Sequence, residues 1–273
     1  MRGDLTKLII YLLLGTGGIF MLLPFVWMIM TSLKPSSEVM LLPPKWIPSR
    51  LMWQNYADMW GAAPFSRYLW NSIMVTSFST LGSVIISILA AFAFARLSFY
   101  GRDVLFTLLL SAMMVPSEML LIPNFVTITK LGWIDRYEAM IVPLSISVFS
   151  IYLLRQHFES IPAHYYYAAR VDGYSPFGYL RRVMVPLIKP VIATMILMKA
   201  IGNWNAYLWP LLVTNSVEMR TLQVGLVSLM TEIGVNYERL MAASTFVVFP
   251  MLLCYVFLRK YIIEGVSQGG LKG

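Results

Sequence analysis

The chain is poor in the residues that enzymes use. Among its 273 residues there is one cysteine, Cys254, and there are two histidines, His157 and His164. A single cysteine excludes an internal disulfide, and two histidines without further ligands do not make a metal site. Charge is scarce as well: Asp, Glu, Lys and Arg make up 12% of the residues, about half the share usual in soluble domains. The clustered His, Cys or carboxylate constellation that a membrane enzyme would need is absent. So is a G-x-x-x-x-G-K-[ST] phosphate loop, because 15-GTGG-18 lacks the lysine and lies inside an apolar run. The sequence offers no catalytic centre and no nucleotide site of its own.

What is abundant is apolar surface. Hydrophobic residues make up 58% of the chain and mean hydropathy is +0.70, which predicts an all-α integral membrane protein. A helix needs about 20 apolar residues to cross a bilayer. Runs of that length fall at 8–31, 69–95, 104–127, 138–156, 191–213 and 240–260, giving six transmembrane helices. In the third, Pro116 and Pro123 flank polar Ser117 and Glu118, so a kinked helix or an early exit is expected. The first run is longer than the apolar core of a secretory signal and precedes no small-residue cleavage site, so it reads as a retained anchor.

The formal charge of +8 is distributed unevenly. With the N-terminus in the cytoplasm, twelve bases and five acids lie inside, eight bases and eight acids lie outside, and Lys199 lies within the fifth span. Both termini inside is the arrangement that satisfies the positive-inside rule. The basic excess then faces anionic lipid and cytoplasmic partners, not nucleic acid.

This topology makes residues 157–190 the longest cytoplasmic loop, and its punctuation predicts a folded elbow. Ser160 with Pro162 opens a helix favoured by Ala168 and Ala169, and Gly173 ends it with a positive φ. Ser175 and Pro176 read as the N-cap and first turn of a second helix, which runs into Pro186 and Pro190. Two readings of the elbow stand. The small residues at 168 and 169 admit another protein close to the backbone, with Tyr167, Tyr174 and Phe177 as aromatic anchors. Alternatively, an amphipathic helix lies on the inner leaflet and Arg181 and Arg182 reach for phosphates.

The run 168-AARVDG-173, followed by Phe177, Val183, Val185-Pro186 and Lys189-Pro190, resembles the cytoplasmic signature loop of permease subunits in binding-protein-dependent ABC importers. The stretches 71-NS-72, 115-VPSEMLLIP-123, 160-SIP-162, 204-WNAYLWPL-211 and 265-GVSQGGLKG-273 are similar to the carbohydrate branch, in particular to the maltose-type smaller permease subunit. The resemblance covers nearly the whole chain and implies a type-I ABC importer permease fold. Its parts would be an N-terminal anchor and external segment at 1–67, a permease core at 68–264 and a cytoplasmic tail at 265–273. It also implies a coupling role for Tyr167, Ala168, Ala169, Asp172, Gly173 and Phe177, which would sit in a cleft of a cytoplasmic ATPase dimer. ATP and Mg would be bound by that ATPase, and the chain would need no cofactor. Further implied partners are a second, related permease and an extracytoplasmic solute-binding protein. Tyr167 departs from the pattern, which has Glu there. An ionic contact made by that Glu is lost, and Asp172 is the nearest substitute.

Residues of the solute path are read from helix geometry. Lys199, Asn203 and Tyr207 recur at i, i+4 and i+8, a polar stripe on one helix face, and Asn203, Asn205 and Tyr207 can hydrogen-bond hydroxyls along a path; Asn205 points away from Asn203, so its alternative reading is interhelical glue. Lys199 has two readings: lining the path, or snorkelling to the inner headgroups. The Ser and Thr residues of the second span, from Ser72 to Ser87, read as packing surface before solute site. Trp46, Trp53, Trp60, Trp70 and Trp133 read as interfacial anchors before sugar-stacking platforms. Residues 214–237, with Asn215, Glu218, Arg220 and Glu232, are long enough to reach an external partner. In the tail, Gly269, Gly270 and Lys272 read either as a frayed end or, by the resemblance, as a contact to the ATPase dimer. A self-sufficient secondary transporter is the rival function, and Glu118 is its one candidate coupling acid.

Overall fold

The computed structural model describes the backbone of residues 2–232 and 236–270, and among the described residues every regular element is a helix. The helices that matter here are α1 (Arg2–Ser32), α2 (Gln54–Ala62), α3 (Phe65–Arg96), α4 (Arg102–Ser111), α5 (Leu121–Lys130), α6 (Tyr137–Leu144) and α7 (Val148–Glu159). They continue with α8 (Ala163–Val171), α9 (Pro176–Leu187), α10 (Lys189–Trp204), α11 (Leu208–Val213), α12 (Leu222–Glu232) and α13 (Tyr237–Gly270).

Among the described residues, four stretches are long and apolar enough to cross a membrane: Thr6–Ser32, Phe65–Arg96, Tyr137–Glu159 and Tyr237–Phe257. Two bent pairs bring the number to six if each pair is one span. The expected interruption of the third run is a 98° bend between Arg102–Met114 and Ser117–Lys130, centred on Pro116. The second bend, 81°, lies between α9 and α10 at Ile188, which Pro186 and Pro190 flank.

Packing divides the chain into two compact units, residues 1–65 with 225–250 and residues 66–224 with 251–273. The sequence reading keeps 68–264 as one core, whereas by packing 225–250 groups with the N-terminal part. In the first unit the membrane-crossing window of α1 buries none of its length against the chain. Beyond it, Lys34 is fully buried, 3.9 Å from the centre of the Trp27 ring, and Asn55 Nδ2 donates to the carbonyls of Ser32 and Lys34 at 2.9 Å each. Trp46 packs edge-on against Trp27, with ring centres 5.0 Å apart. Glu38 accepts from Lys45 Nζ at 2.7 Å and from the Ser49 N–H at 3.0 Å, and these bonds hold its carboxyl down to about 2.

In the second unit α3 is inside out by the standards of a soluble helix. Asn71, Ser72, Thr76, Ser79, Thr80, Ser83 and Ser87 are buried at helical spacing, while Ile73, Phe78, Leu81, Ile85 and Leu89 face outward. Hydrocarbon is no worse a neighbour for isoleucine than protein is, so small polar residues take the inner face and let helices approach. Gly82 shows how close: a Cβ there would stand 2.8 Å from Ser145 Oγ. The packing reading therefore describes the positions of these Ser and Thr residues, while Ser77 of the same span is exposed.

Candidate functional site

The elbow forms as two helices around a left-handed glycine. α7 ends at Glu159, and Ser160 closes it by donating its hydroxyl to the His157 carbonyl at 2.8 Å. Ser160 therefore ends the preceding helix and does not open the next one, because Pro162, with φ −58° and ψ 139°, already sets the start of α8. At the other end Gly173 has φ +80°, its N–H donates to Arg170 O at 3.1 Å, and the Tyr174 N–H donates to Ala169 O at 2.9 Å. This pair of bonds is a Schellman cap, which needs a residue tolerant of positive φ at that point. Ser175 Oγ then accepts from the Gly178 N–H at 3.1 Å, with Pro176 in the first turn of α9. A π turn at Leu180–Met184 continues this second helix.

The elbow has one buried and one exposed face. Ala169, Tyr179, Leu180 and Met184 are buried with Phe92, Leu154 and Phe158, and Tyr166 meets Tyr179 edge-on at 5.2 Å. Tyr167 is 67% exposed, Val171 88% and Phe177 61%, and Ala168, Asp172 and Gly173 are exposed beside them. One expectation is corrected here. Ala168 is open to a partner, but Ala169 is small because its own chain packs against it. Tyr174 is half-buried, packed on the same core, with the Arg182 guanidinium 5.3 Å from its ring centre.

The polar stripe does not survive as predicted. α10 ends at Trp204, so Lys199 and Asn203 share a helix and Tyr207 lies past a break, with φ −115° and ψ −58°. Asn203 is 7% exposed, and its Nδ2 donates to Thr80 Oγ1 of α3 at 3.2 Å. Asn205 is exposed at the break, and its Oδ1 accepts from Gln223 Nε2 at 3.2 Å. Asn203 thus joins α10 to α3 through a buried bond, whereas Asn205 makes an exposed bond to α12. Lys199 and Tyr207 are half-buried. Gln223 was not singled out from sequence, because its meeting with Asn205 spans a turn and two helices.

The segment expected outside the membrane is tied down over residues 214–221 and then becomes α12. Asp135, itself at φ 62°, accepts from the N–H groups of Asn215 and Ser216 at 2.9 and 3.0 Å. Burial pushes the Asp135 carboxyl up, but these backbone donors together with the Ser216 hydroxyl outweigh it and hold the group below its ordinary value. Asn71 Nδ2 donates to the carbonyls of Glu218 and Arg220 at 2.7 and 2.9 Å, and Tyr137 donates to Asn71 Oδ1 at 2.6 Å. The Asn215 and Glu218 side chains remain exposed on this fixed backbone. Asn71 and Asp135 were not read as functional from sequence, because single polar residues at helix ends carry no local signal. At the C-terminus α13 reaches Gly270, so Gly269 and Gly270 lie in its last turn, while Lys272 is outside the described residues.

Residues 83–268 match the family described as binding-protein-dependent transport system inner membrane component. The chain is 35% identical over 255 residues to the arabinooligosaccharides transport system permease protein AraQ of Bacillus subtilis, covering 92% of this chain and 91% of the relative. It is 30% identical over 272 residues to the sn-glycerol-3-phosphate transport system permease protein UgpE of Brucella suis, covering 96% of each. A crystal structure of a bacterial ABC transporter involved in the import of alginate matches with TM-score 0.84 and 26% identity, covering 96% of this chain and 98% of that one. A second, of the alginate transporter with a pentasaccharide-bound periplasmic protein, shares the fold at TM-score 0.66 and 18% identity, covering 94% and 95%. The chain belongs to the binding-protein-dependent transport system inner membrane components and is a permease of the ABC importer type.

Proposed function

We propose that this permease moves a sugar or oligosaccharide, delivered by an external binding protein, through a path it shares with a second related permease. A cytoplasmic ATPase dimer supplies the energy, with ATP and Mg bound on that partner. The observation that carries the reading is the elbow: a helix pair locked by a Schellman cap, presenting Tyr167, Val171 and Phe177 away from its own core. Exposed apolar side chains grouped on a rigid segment mark a protein interface. The sugar names of the arabinooligosaccharide and alginate systems support the solute class. Along the path, Lys199, Asn205, Tyr207 and Gln223 supply the polar groups that hydroxyls need, and both termini lie in the cytoplasm. No finding favours the secondary transporter.

The test is extraction of the chain in mild detergent from cells that express its whole transport system, followed by reconstitution. The expected result is a complex that retains an ATPase and a second permease and takes up solute only with ATP and the binding protein. Uptake driven by an ion gradient, with no ATPase retained, overturns the reading.

A further inference from the structure

Both ends of α3 are clamped, and what they hold are the elbow and the outer segment. At the inner end, Arg96 Nη2 donates to the Phe158 carbonyl at 2.7 Å and to the Ile161 carbonyl. Phe158 lies in the last turn of α7, where carbonyls lack helical partners and the helix dipole favours a cation. Ile161 lies two residues before α8, so the guanidinium grips the point from which the elbow hangs. Ala91 and Phe92 of α3 reinforce the grip, since they share one core with Ala169 and Tyr179 of the elbow.

At the outer end, Asn71 holds the carbonyls of Glu218 and Arg220, and Ser72 Oγ accepts from the Leu222 N–H at 2.8 Å. Arg67 Nε adds a bond to the Glu218 carbonyl at 3.2 Å. Between Asn71 and Arg96 α3 runs without proline or break, a rise of about 37 Å at 1.5 Å per residue. A helix of that length with hydrogen-bonded clamps at both ends transmits displacement better than it absorbs it.

We infer that α3 is a connecting rod between the elbow and the outer segment 214–222, and that Arg96 is the positioning residue that joins the rod to the elbow. The inference rests on the importer reading. It gives the membrane permease a direct line by which events at an inner partner reach the surface facing an outer one. Coupling of this kind is a free energy between two sites, carried by an element both sites bias.

The experiment uses the assembled complex in a Cys254→Ser background, with Asn215→Cys as an outer reporter whose maleimide reaction rate is read with and without ATP plus vanadate. With Arg96 present, trapping changes the rate by about fivefold or more, and in Arg96→Gln the change falls below about twofold while the complex still hydrolyses ATP. Arg96→Lys, which keeps a charge and a donor, regains most of the response, and Asn71→Leu loses it from the other end. A full response in Arg96→Gln overturns the rod. No response in any variant, Arg96 intact included, overturns the rod alone, because the importer reading falls only where the complex retains no ATPase. Should Arg96→Gln fail to assemble, spin labels at Ser98→Cys and Ser160→Cys in the complex that retains Arg96 decide the matter. A separation constant through ATP trapping supports the clamp, and a separation that changes overturns it.

Discussion

Ala168 and Ala169 are chemically identical neighbours that helix geometry turns about 100° apart. One faces away from the chain and the other into the core beneath Tyr179. Substitution at the two faces must therefore fail in different ways. Ala169→Trp forces a large ring into a packed interior, at a cost of about 1 to 3 kcal/mol. The expected outcome is a lower melting temperature of the detergent-solubilised protein. Tyr167→Ala removes a ring that is 67% exposed, so the melting temperature stays within error while retention of the ATPase falls. Equal melting temperatures for the two variants would contradict this division of faces. Sequence pattern does not separate adjacent alanines, because the phase of a short helix is set by whatever it packs on.

At the scale of elements, the punctuation of the elbow and the small polar packing face of α3 were legible, and the ends of α10 were not. Gly173 shows why: its φ of +80° is a local property of a cap, and no atom lies within 4 Å of a Cβ placed there. Substitution then costs backbone strain alone, about 1 to 2 kcal/mol for an ordinary residue and less for asparagine. Gly173→Val is expected to lower uptake per ATP hydrolysed, with Gly173→Asn close to the unaltered protein. Similar losses in both would show that something other than the positive φ matters. The ends of α10 are the opposite case. Asn203 finds Thr80 across 123 positions of sequence, and the helix breaks before Tyr207 with no glycine or proline at the break. Periodicity extrapolated through that break set Asn203 on the path stripe, where the structure gives it a buried bond to α3. Asn203→Leu removes an interhelical bond worth about 0.6 to 2 kcal/mol and lowers thermal stability. Asn205→Leu leaves stability unchanged and alters uptake, which a melting curve and a transport assay on the same preparations separate.

At the scale of the molecule, hydropathy read the membrane class correctly because the bilayer acts on whole helices: every backbone group must be satisfied within the span, and 20-residue runs announce themselves. Of the two bends, the one at Pro116 was legible from its proline and polar neighbours, while the one at Ile188 is what such windows average away. Sidedness is a different kind of statement, resting on twelve bases against five acids on one side of the spans and eight against eight on the other. On the sidedness we propose, Ser160 is cytoplasmic and Asn215 extracytoplasmic, and both residues are exposed. In a Cys254→Ser background, Asn215→Cys in intact cells is expected to react with a membrane-impermeant maleimide, and Ser160→Cys only after the membrane is opened. The reverse pattern would put the elbow on the outside, where no ATP-hydrolysing partner can reach it, and would leave Tyr167, Val171 and Phe177 facing the binding protein instead.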